Sequence, residues 1–191
     1  MNWIPEYNFI LASKSPRRQE LLKSLGIVFQ MKTKDVDENY PPELSPDQIP
    51  GYLAEKKAKA FANELNNNDL LITADTIVVL NRKVLEKPDD YDHAYKMLSA
   101  LSGKMHEVIT GVCLSSTKKS VVFSSLTNVQ FKKLSEVEID YYIRNYKPFD
   151  KAGAYGIQEW IGTIGISHIE GSFYNVMGLP LQKLYEEIQK F

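Results

Sequence analysis

Apolar positions along the chain switch repeatedly between helical and strand spacing, a pattern that predicts a mixed α/β protein. Phe9 to Ala12 is a short apolar run that reads as a strand. The SPRRQELLKSLG that follows predicts a helix, with Ser15 as its cap, Pro16 in its first turn, Leu21, Leu22 and Leu25 on one face, and Gly26 as its stop. Ile27 to Thr33 reads as a second strand, followed by the acidic stretch Asp35-Val36-Asp37-Glu38 and the Pro41-Pro42 break. A helix is expected from about Ile49 to Leu65. Leu70 to Leu80, LLITADTIVVL, is β-branched and nearly all apolar, as in a strand covered on both faces. A turn at Asn81-Arg82-Lys83 leads to a short strand at Val84-Leu85, and Asp89 to Leu101 carries helical spacing at Ala94, Met97, Leu98 and Leu101, with Gly103 just past its end. Glu107 to Ser116 and Val121 to Phe131, separated by Thr117-Lys118-Lys119, read as paired antiparallel strands. Ser135 to Tyr146 predicts a helix with Ser135 and Glu138 in a capping box. The glycine-rich stretch from Ala152 to Gly178 predicts short strands and tight turns, before a closing helix from about Leu181 to Lys190. Helices between strands, plus a hairpin, imply a mixed sheet with helices packed on it.

Composition narrows the class. A chain of 191 residues with 43% hydrophobic and 25% charged residues fits one soluble globular domain spanning residues 1–191. Lys plus Arg at 23 against Asp plus Glu at 24 gives a formal net charge of -1, without the basic surplus that gripping nucleic-acid phosphates requires. The single cysteine, Cys113, has no partner for an internal disulfide, and the opening MNWIPEYNFILAS has neither the charged leader nor the apolar run of a signal peptide, so a cytoplasmic setting is expected. No apolar stretch approaches the roughly 18 to 20 residues needed to span a bilayer, so no membrane partner is expected.

Function shows where residues contradict their local structure. Arg17-Arg18 places two cations in the first turn of a helix, where each is disfavoured by about 0.3 to 1 kcal/mol. An anion there reverses the sign, because backbone N–H groups, Ser13, Ser15 and two guanidinium forks together make a phosphate site; alternatively both arginines point into water. Asp75 shares a strand face with Ile77 and Val79, so its carboxylate needs a divalent cation, a lysine, a place at the mouth of a cleft, or backbone partners at a bulge or strand end. Lys57 lies inside the apolar arc Leu53, Ala54, Ala58, Phe61 and Leu65, where it either reaches an anion or snorkels to the edge. Lys87 precedes Pro88, which holds it extended, either across a groove or simply at a turn. In DKAGAYGIQ, residues 150 to 158, two glycines permit close backbone approach while Asp150, Lys151 and Gln158 supply polar ends, as in a site or in a buried tight turn. His106 and His168 are isolated, three histidines and one cysteine give no zinc spacing, and Cys113 reads as a core thiol. The sequence has no G-x-S-x-G, Walker A or G-x-G-x-x-G pattern.

Taken together, LASKSPRRQELL at 11 to 22, ADT at 74 to 76, LEKP at 85 to 88, LSGKMHEVITGV at 101 to 112, DKAGAYGIQ at 150 to 158 and GSFYNVMGLP at 171 to 180 resemble the Maf family, in order and spacing, from about Phe9 to the end. The resemblance implies a nucleoside triphosphate pyrophosphatase that cuts between the α- and β-phosphates. It also implies a fold like that of the inosine triphosphate pyrophosphatases, an elongated mixed sheet flanked by helices, with two lobes around a deep cleft, usually as a homodimer. It assigns Ser13, Arg17 and Arg18 to the phosphate-binding loop, Lys57 and Lys87 to the cleft, Asp75 to catalysis and Gln158 to the active site. Glu38, in a stretch that reads on its own as a solvated loop, matches an acidic residue that helps Asp75 hold Mg²⁺ or Mn²⁺. DKAGAYGIQ resembles the branch acting on dTTP and UTP rather than the one acting on 7-methyl-GTP, with removal of modified pyrimidine nucleotides as one implied role. The chain departs from many relatives after Gln158, where EWIGTIGISHIEGS is longer by about one residue, a change that bears on base selectivity. Two other readings share the phosphate loop: a nucleotide-binding regulator of septum formation and cell division with little turnover, and a structural phosphate-binding protein. The last leaves Lys57, Lys87 and Gln158 without a role.

Overall fold

The computed structural model describes residues 4–191; residues 1–3, where the stretch read for a leader begins, lie outside the described residues. The strands are β1 (Asn8–Leu11), β2 (Phe29–Met31), β3 (Asp69–Leu80), β4 (Lys83–Leu85), β5 (Met105–Ser115), β6 (Ser120–Phe131) and β7 (Ile166–Glu170). Among the described residues they form one seven-stranded sheet in the order β2-β1-β3-β5-β6-β7, with β4 paired to β3. The sheet is mixed: β1 runs parallel to β2 and β3, while β4 and β7 run antiparallel to β3 and β6. Parallel pairing of β1 with β3 requires a long crossover, and α1 (Pro16–Ser24) and α2 (Ile49–Lys59) lie within it. The other helices are α3 (Tyr91–Leu101), α4 (Glu136–Tyr146), α5 (Trp160–Gly165), α6 (Phe173–Met177) and α7 (Leu181–Lys190).

Local chemistry explains most boundaries. In β3 every residue except Thr76 is buried, as its nearly all-apolar composition predicts. Asn81 and Arg82 both adopt positive φ, 51° and 64°, in the two-residue turn that folds β4 back with Leu80 opposite Lys83. At α4 the capping box is complete: Ser135 Oγ accepts the Glu138 N–H, and the Glu138 carboxylate accepts the Ser135 N–H.

The structure departs from the sequence reading in four places. Ser15 occupies the cap position of α1 but its side chain caps nothing; its N–H instead donates to Ser13 Oγ at 3.2 Å. The second strand shrinks to three residues, matching Phe9–Leu11 of the short β1 in register. The helix expected to reach Leu65 ends at Lys59, because the chain turns to bury Phe61 against Ala54, Ala58 and Leu71, leaving one 3₁₀ turn at Ala62–Glu64. Between Ala152 and Gly178 there is one strand, a 3₁₀ turn at Ala152–Ala154 and two short α-helices instead of several strands; α5 starts where the Glu159 carbonyl accepts the Gly162 and Thr163 N–H groups.

The chain divides into two compact units. The first comprises the chain up to Asp75, Thr110–Ser125 and Gly178–Phe191; the second comprises Thr76–Ile109 and Leu126–Met177. The first has a core of Ile10, Ala54, Ala58, Phe61, Leu71 and Cys113, whose thiol is pushed up by burial and sits 3.1 Å from Ser120 Oγ. The second is built around Leu98, Leu101, Val108, Phe131, Tyr142 and Ile161. No described helix is long and apolar enough to cross a membrane.

Candidate active site

The first unit carries most of the expected site. β1 hands over through residues 12–15 to α1, whose first turn holds no acidic residue. Arg17 and Arg18 lie one turn before the buried Leu21 and Leu22, so helical spacing aims them along the inward face. Arg18 is half-buried, and its Nε donates to the Gly178 carbonyl at 2.8 Å. Burial lowers the Arg18 pKa, the Asp75 carboxylate opposes that shift, Arg17 reinforces it and Glu38 opposes it. The guanidinium stays charged and lies within electrostatic reach of both carboxylates. Ser13 is buried, beside the start of the helix.

α2 is docked by two contacts that set where Lys57 points. Gly111 of β5 lets the helix backbone approach so closely that a Cβ there would lie 2.2 Å from the Pro50 carbonyl carbon. One turn on, Thr73 Oγ1 donates to the Ala54 carbonyl at 2.7 Å. Lys57 follows Ala54 by three residues on the same helix face, and Asp75 follows Thr73 by two on the same strand face, so the next contact in line joins them. The Lys57 Nζ donates to Asp75 Oδ1 at 2.6 Å and to Glu38 Oε1 at 2.7 Å. Of the alternatives open for these residues, Lys57 reaches anions rather than snorkelling, and the Asp75 carboxylate, 12% exposed, is compensated by a lysine.

Glu38 reaches this point because residues 35–38 run beside basic side chains. Asp35 pairs with Lys14, Asp37 with Lys56 and Glu38 with Lys57. Adjacent acids thus meet adjacent lysines, a complementarity visible only once the loop and α2 are side by side.

Lys87 and Gln158 belong to the second unit. Lys87 is exposed just after β4, followed by the buried Pro88. The preceding Glu86 carbonyl accepts the Gly153 N–H at 3.1 Å, and Gly153, at φ 68°, packs so closely that a Cβ would lie 3.0 Å from Val78. DKAGAYGIQ therefore braces the segment that bears Lys87 and also carries Gln158, which is exposed. Lys151, read from sequence as a polar end of that motif, is instead buried and pairs with Asp150 and Glu159. No motif singles out Glu159 or Tyr142; the one signal is a tyrosine on the buried face of α4, whose hydroxyl needs a partner.

Two carboxylate oxygens, Asp75 Oδ1 and Glu38 Oε1, converge within 2.7 Å of the Lys57 ammonium, and hard oxygens of this kind are the ligand type that Mg²⁺ and Mn²⁺ take. Among the described residues no group of three or more His, Cys, Asp or Glu side chains could hold a metal ion.

The family model described as Maf-like protein matches residues 8–191. The dTTP/UTP pyrophosphatase of Bacteroides thetaiotaomicron is 53% identical over 188 residues, covering 98% of this chain and 97% of the relative. That of Phocaeicola vulgatus is 54% identical over 188 residues, covering 98% and 97%, and that of Flavobacterium psychrophilum 52% identical over 176 residues, covering 92% and 90%. Among solved structures, the Staphylococcus aureus Ham1 protein matches with a TM-score of 0.45 and 14% identity, covering 65% of this chain and 71% of that one. With one family model spanning residues 8–191 and relatives about half identical along nearly their whole length, the chain belongs to the Maf family.

Proposed function

We propose that this protein hydrolyses dTTP and UTP between the α- and β-phosphates, releasing the nucleoside monophosphate and pyrophosphate, with Mg²⁺ or Mn²⁺ as cofactor. The observation that carries the reading is the Lys57 ammonium bridging Asp75 and Glu38 with the Arg18 guanidinium in electrostatic reach. Such a cluster offers carboxylates for a cation and for water, and cations for phosphates. The choice of base is supported by the relatives named dTTP/UTP pyrophosphatase.

The residues divide the work by charge. Ser13, Arg17 and Arg18, at the start of α1, hold phosphate oxygens where the helix end favours an anion. When bound, the divalent ion supplies Lewis-acid charge at the phosphates and a more acidic water. Asp75 orients the attacking water or accepts its proton for in-line attack on the α-phosphorus, and Glu38 helps hold the ion. Lys57 keeps the two carboxylates neutralised in the free protein and, with Lys87, stabilises charge growing on the transferring and leaving groups. Gln158 contacts the nucleotide. Replacing Asp75 with Asn keeps shape and polarity but removes the base and one metal oxygen, so turnover should fall about 10²- to 10³-fold. An Asp75→Asn protein that keeps most of its activity contradicts the assignment; tight nucleotide binding by the unmodified protein without turnover favours the regulator reading.

A further inference from the structure

The turn bearing Gln158 rests on a polar network, largely buried except at Asp150, that takes no part in the chemistry above. The Glu159 N–H donates to the Gly156 carbonyl at 3.0 Å, closing a turn over residues 156–159. Lys151, 8% exposed, brings its Nζ to 3.1 Å from Glu159 Oε1 and 2.7 Å from Asp150 Oδ1. The other Glu159 oxygen accepts the Tyr142 hydroxyl, and that hydroxyl accepts the Gly156 N–H at 3.0 Å. Glu159 therefore ties down both ends of the turn, one through its own backbone and the other through the phenol. Burial, with the Glu159 carboxylate, raises the Tyr142 pKa far above its ordinary value, so the phenol remains a donor. A Cβ on Gly156 would lie 2.8 Å from Glu159 Cδ and 3.1 Å from Gln158 Nε2, so both side chains lie against the first residue of the turn. Burying the Lys151 ammonium and half-burying the Glu159 carboxylate costs desolvation that apolar side chains of the same size avoid. The return on that cost is a single backbone geometry at an exposed glutamine.

We infer that Lys151, Glu159 and Tyr142 are positioning residues for Gln158, a buried clamp that fixes the 156–159 turn and thereby the direction from which the carboxamide meets the nucleotide. The link to substrate rests on the role proposed above for Gln158; the clamp itself does not.

The test uses the full chain carrying Tyr142→Phe, which keeps the ring and removes only the hydroxyl, alongside Gln158→Ala and the double variant. Amide hydrogen exchange across 156–159 reads the clamp without reference to activity. Exchange at the Gly156 amide should rise about tenfold or more once its acceptor is gone, with β3 unchanged. With dTTP, Tyr142→Phe should raise KM about tenfold with kcat changed less than about threefold. The double variant should be no worse than Gln158→Ala alone, as for residues acting as one unit. Unchanged exchange at 156–159 overturns the clamp, and additive losses in the double variant overturn its link to Gln158. A wild-type protein that does not turn over dTTP refutes the proposed function instead, and the exchange result then decides the clamp alone. Should Tyr142→Phe fail to fold, Glu159→Gln, which keeps size and removes the charge facing Lys151, is read by the same two measurements.

Discussion

Lys57→Met removes the ammonium from between Asp75 and Glu38 while keeping most of its apolar stem, and its cost follows from the geometry. The Lys57 and Asp75 side chains are 17% and 12% exposed and meet at 2.6 Å. At an effective dielectric of about 20 the gross attraction at that distance is about 6 kcal/mol, much of it offset by desolvation of the two ions. Removing one partner of a largely buried pair typically costs about 3 to 5 kcal/mol. Glu38 is 50% exposed and returns to water cheaply, adding little. The expected loss for Lys57→Met is therefore about 3 kcal/mol, measured by urea unfolding in a chelating buffer. Asp75→Asn leaves Lys57 with Glu38 and should cost about 1 to 2 kcal/mol. The double variant Lys57→Met/Asp75→Asn carries no orphaned buried charge and should be more stable than Lys57→Met alone, with a coupling energy of about 2 kcal/mol. A Lys57→Met protein within about 0.5 kcal/mol of wild type, or strictly additive single changes, refutes the reasoning.

Three further outcomes are expected. His106 is 2% exposed, stacked on Phe131, with Nε2 2.7 Å from the Tyr155 hydroxyl, and burial pushes its pKa down from 6.5 to about 4. The unfolded chain takes up this proton below about pH 6.5 and the folded one only near pH 4, so stability falls across that window as pH is lowered, by about 3 kcal/mol in total. Urea titrations at successive pH values should lose this part of the slope in His106→Phe; an unaltered slope rejects the assignment. Gly111→Ala drives a Cβ into the backbone of Pro50 and Gly51, so it should cost about 3 kcal/mol in unfolding experiments and lower turnover as well, because the displaced α2 carries Lys57. Ser135→Ala breaks the capping box of α4, for about 1 kcal/mol and a melting temperature lower by about 2 to 4 °C.

Charged residues on apolar faces make the site partly legible in the amino-acid sequence. Asp75 inside LLITADTIVVL and Lys57 on an apolar stripe both contradict their surroundings, which is why pattern alone flags them. Their pairing is not legible there, because it depends on how α2 docks on the sheet, and the contacts that decide this, Gly111 against Pro50 and Thr73 with Ala54, link residues distant in sequence. Glu38 gives no local signal, since an acid in an exposed loop is ordinary; only the family resemblance points to it. In DKAGAYGIQ the charges are visible but their direction is not: Lys151 turns inward to Glu159, while Gln158 stays exposed. Glycine content announces turns between 152 and 178 but not α5 and α6, which at six and five residues are too short for apolar periodicity to register. Over the helix expected to reach Leu65, continuing apolar spacing conceals the turn that buries Phe61.

The reaction proposed for this site is pyrophosphate release from a pyrimidine triphosphate. Its most direct test is hydrolysis of dTTP, UTP, CTP, GTP and 7-methyl-GTP by the full chain with Mg²⁺, Mn²⁺ or a chelator, scoring pyrophosphate separately from orthophosphate. Metal-dependent pyrophosphate and nucleoside monophosphate are expected, with dTTP and UTP preferred and the activity lost in Asp75→Asn. Orthophosphate as the first product, or nucleotide binding without turnover under every metal condition, contradicts it.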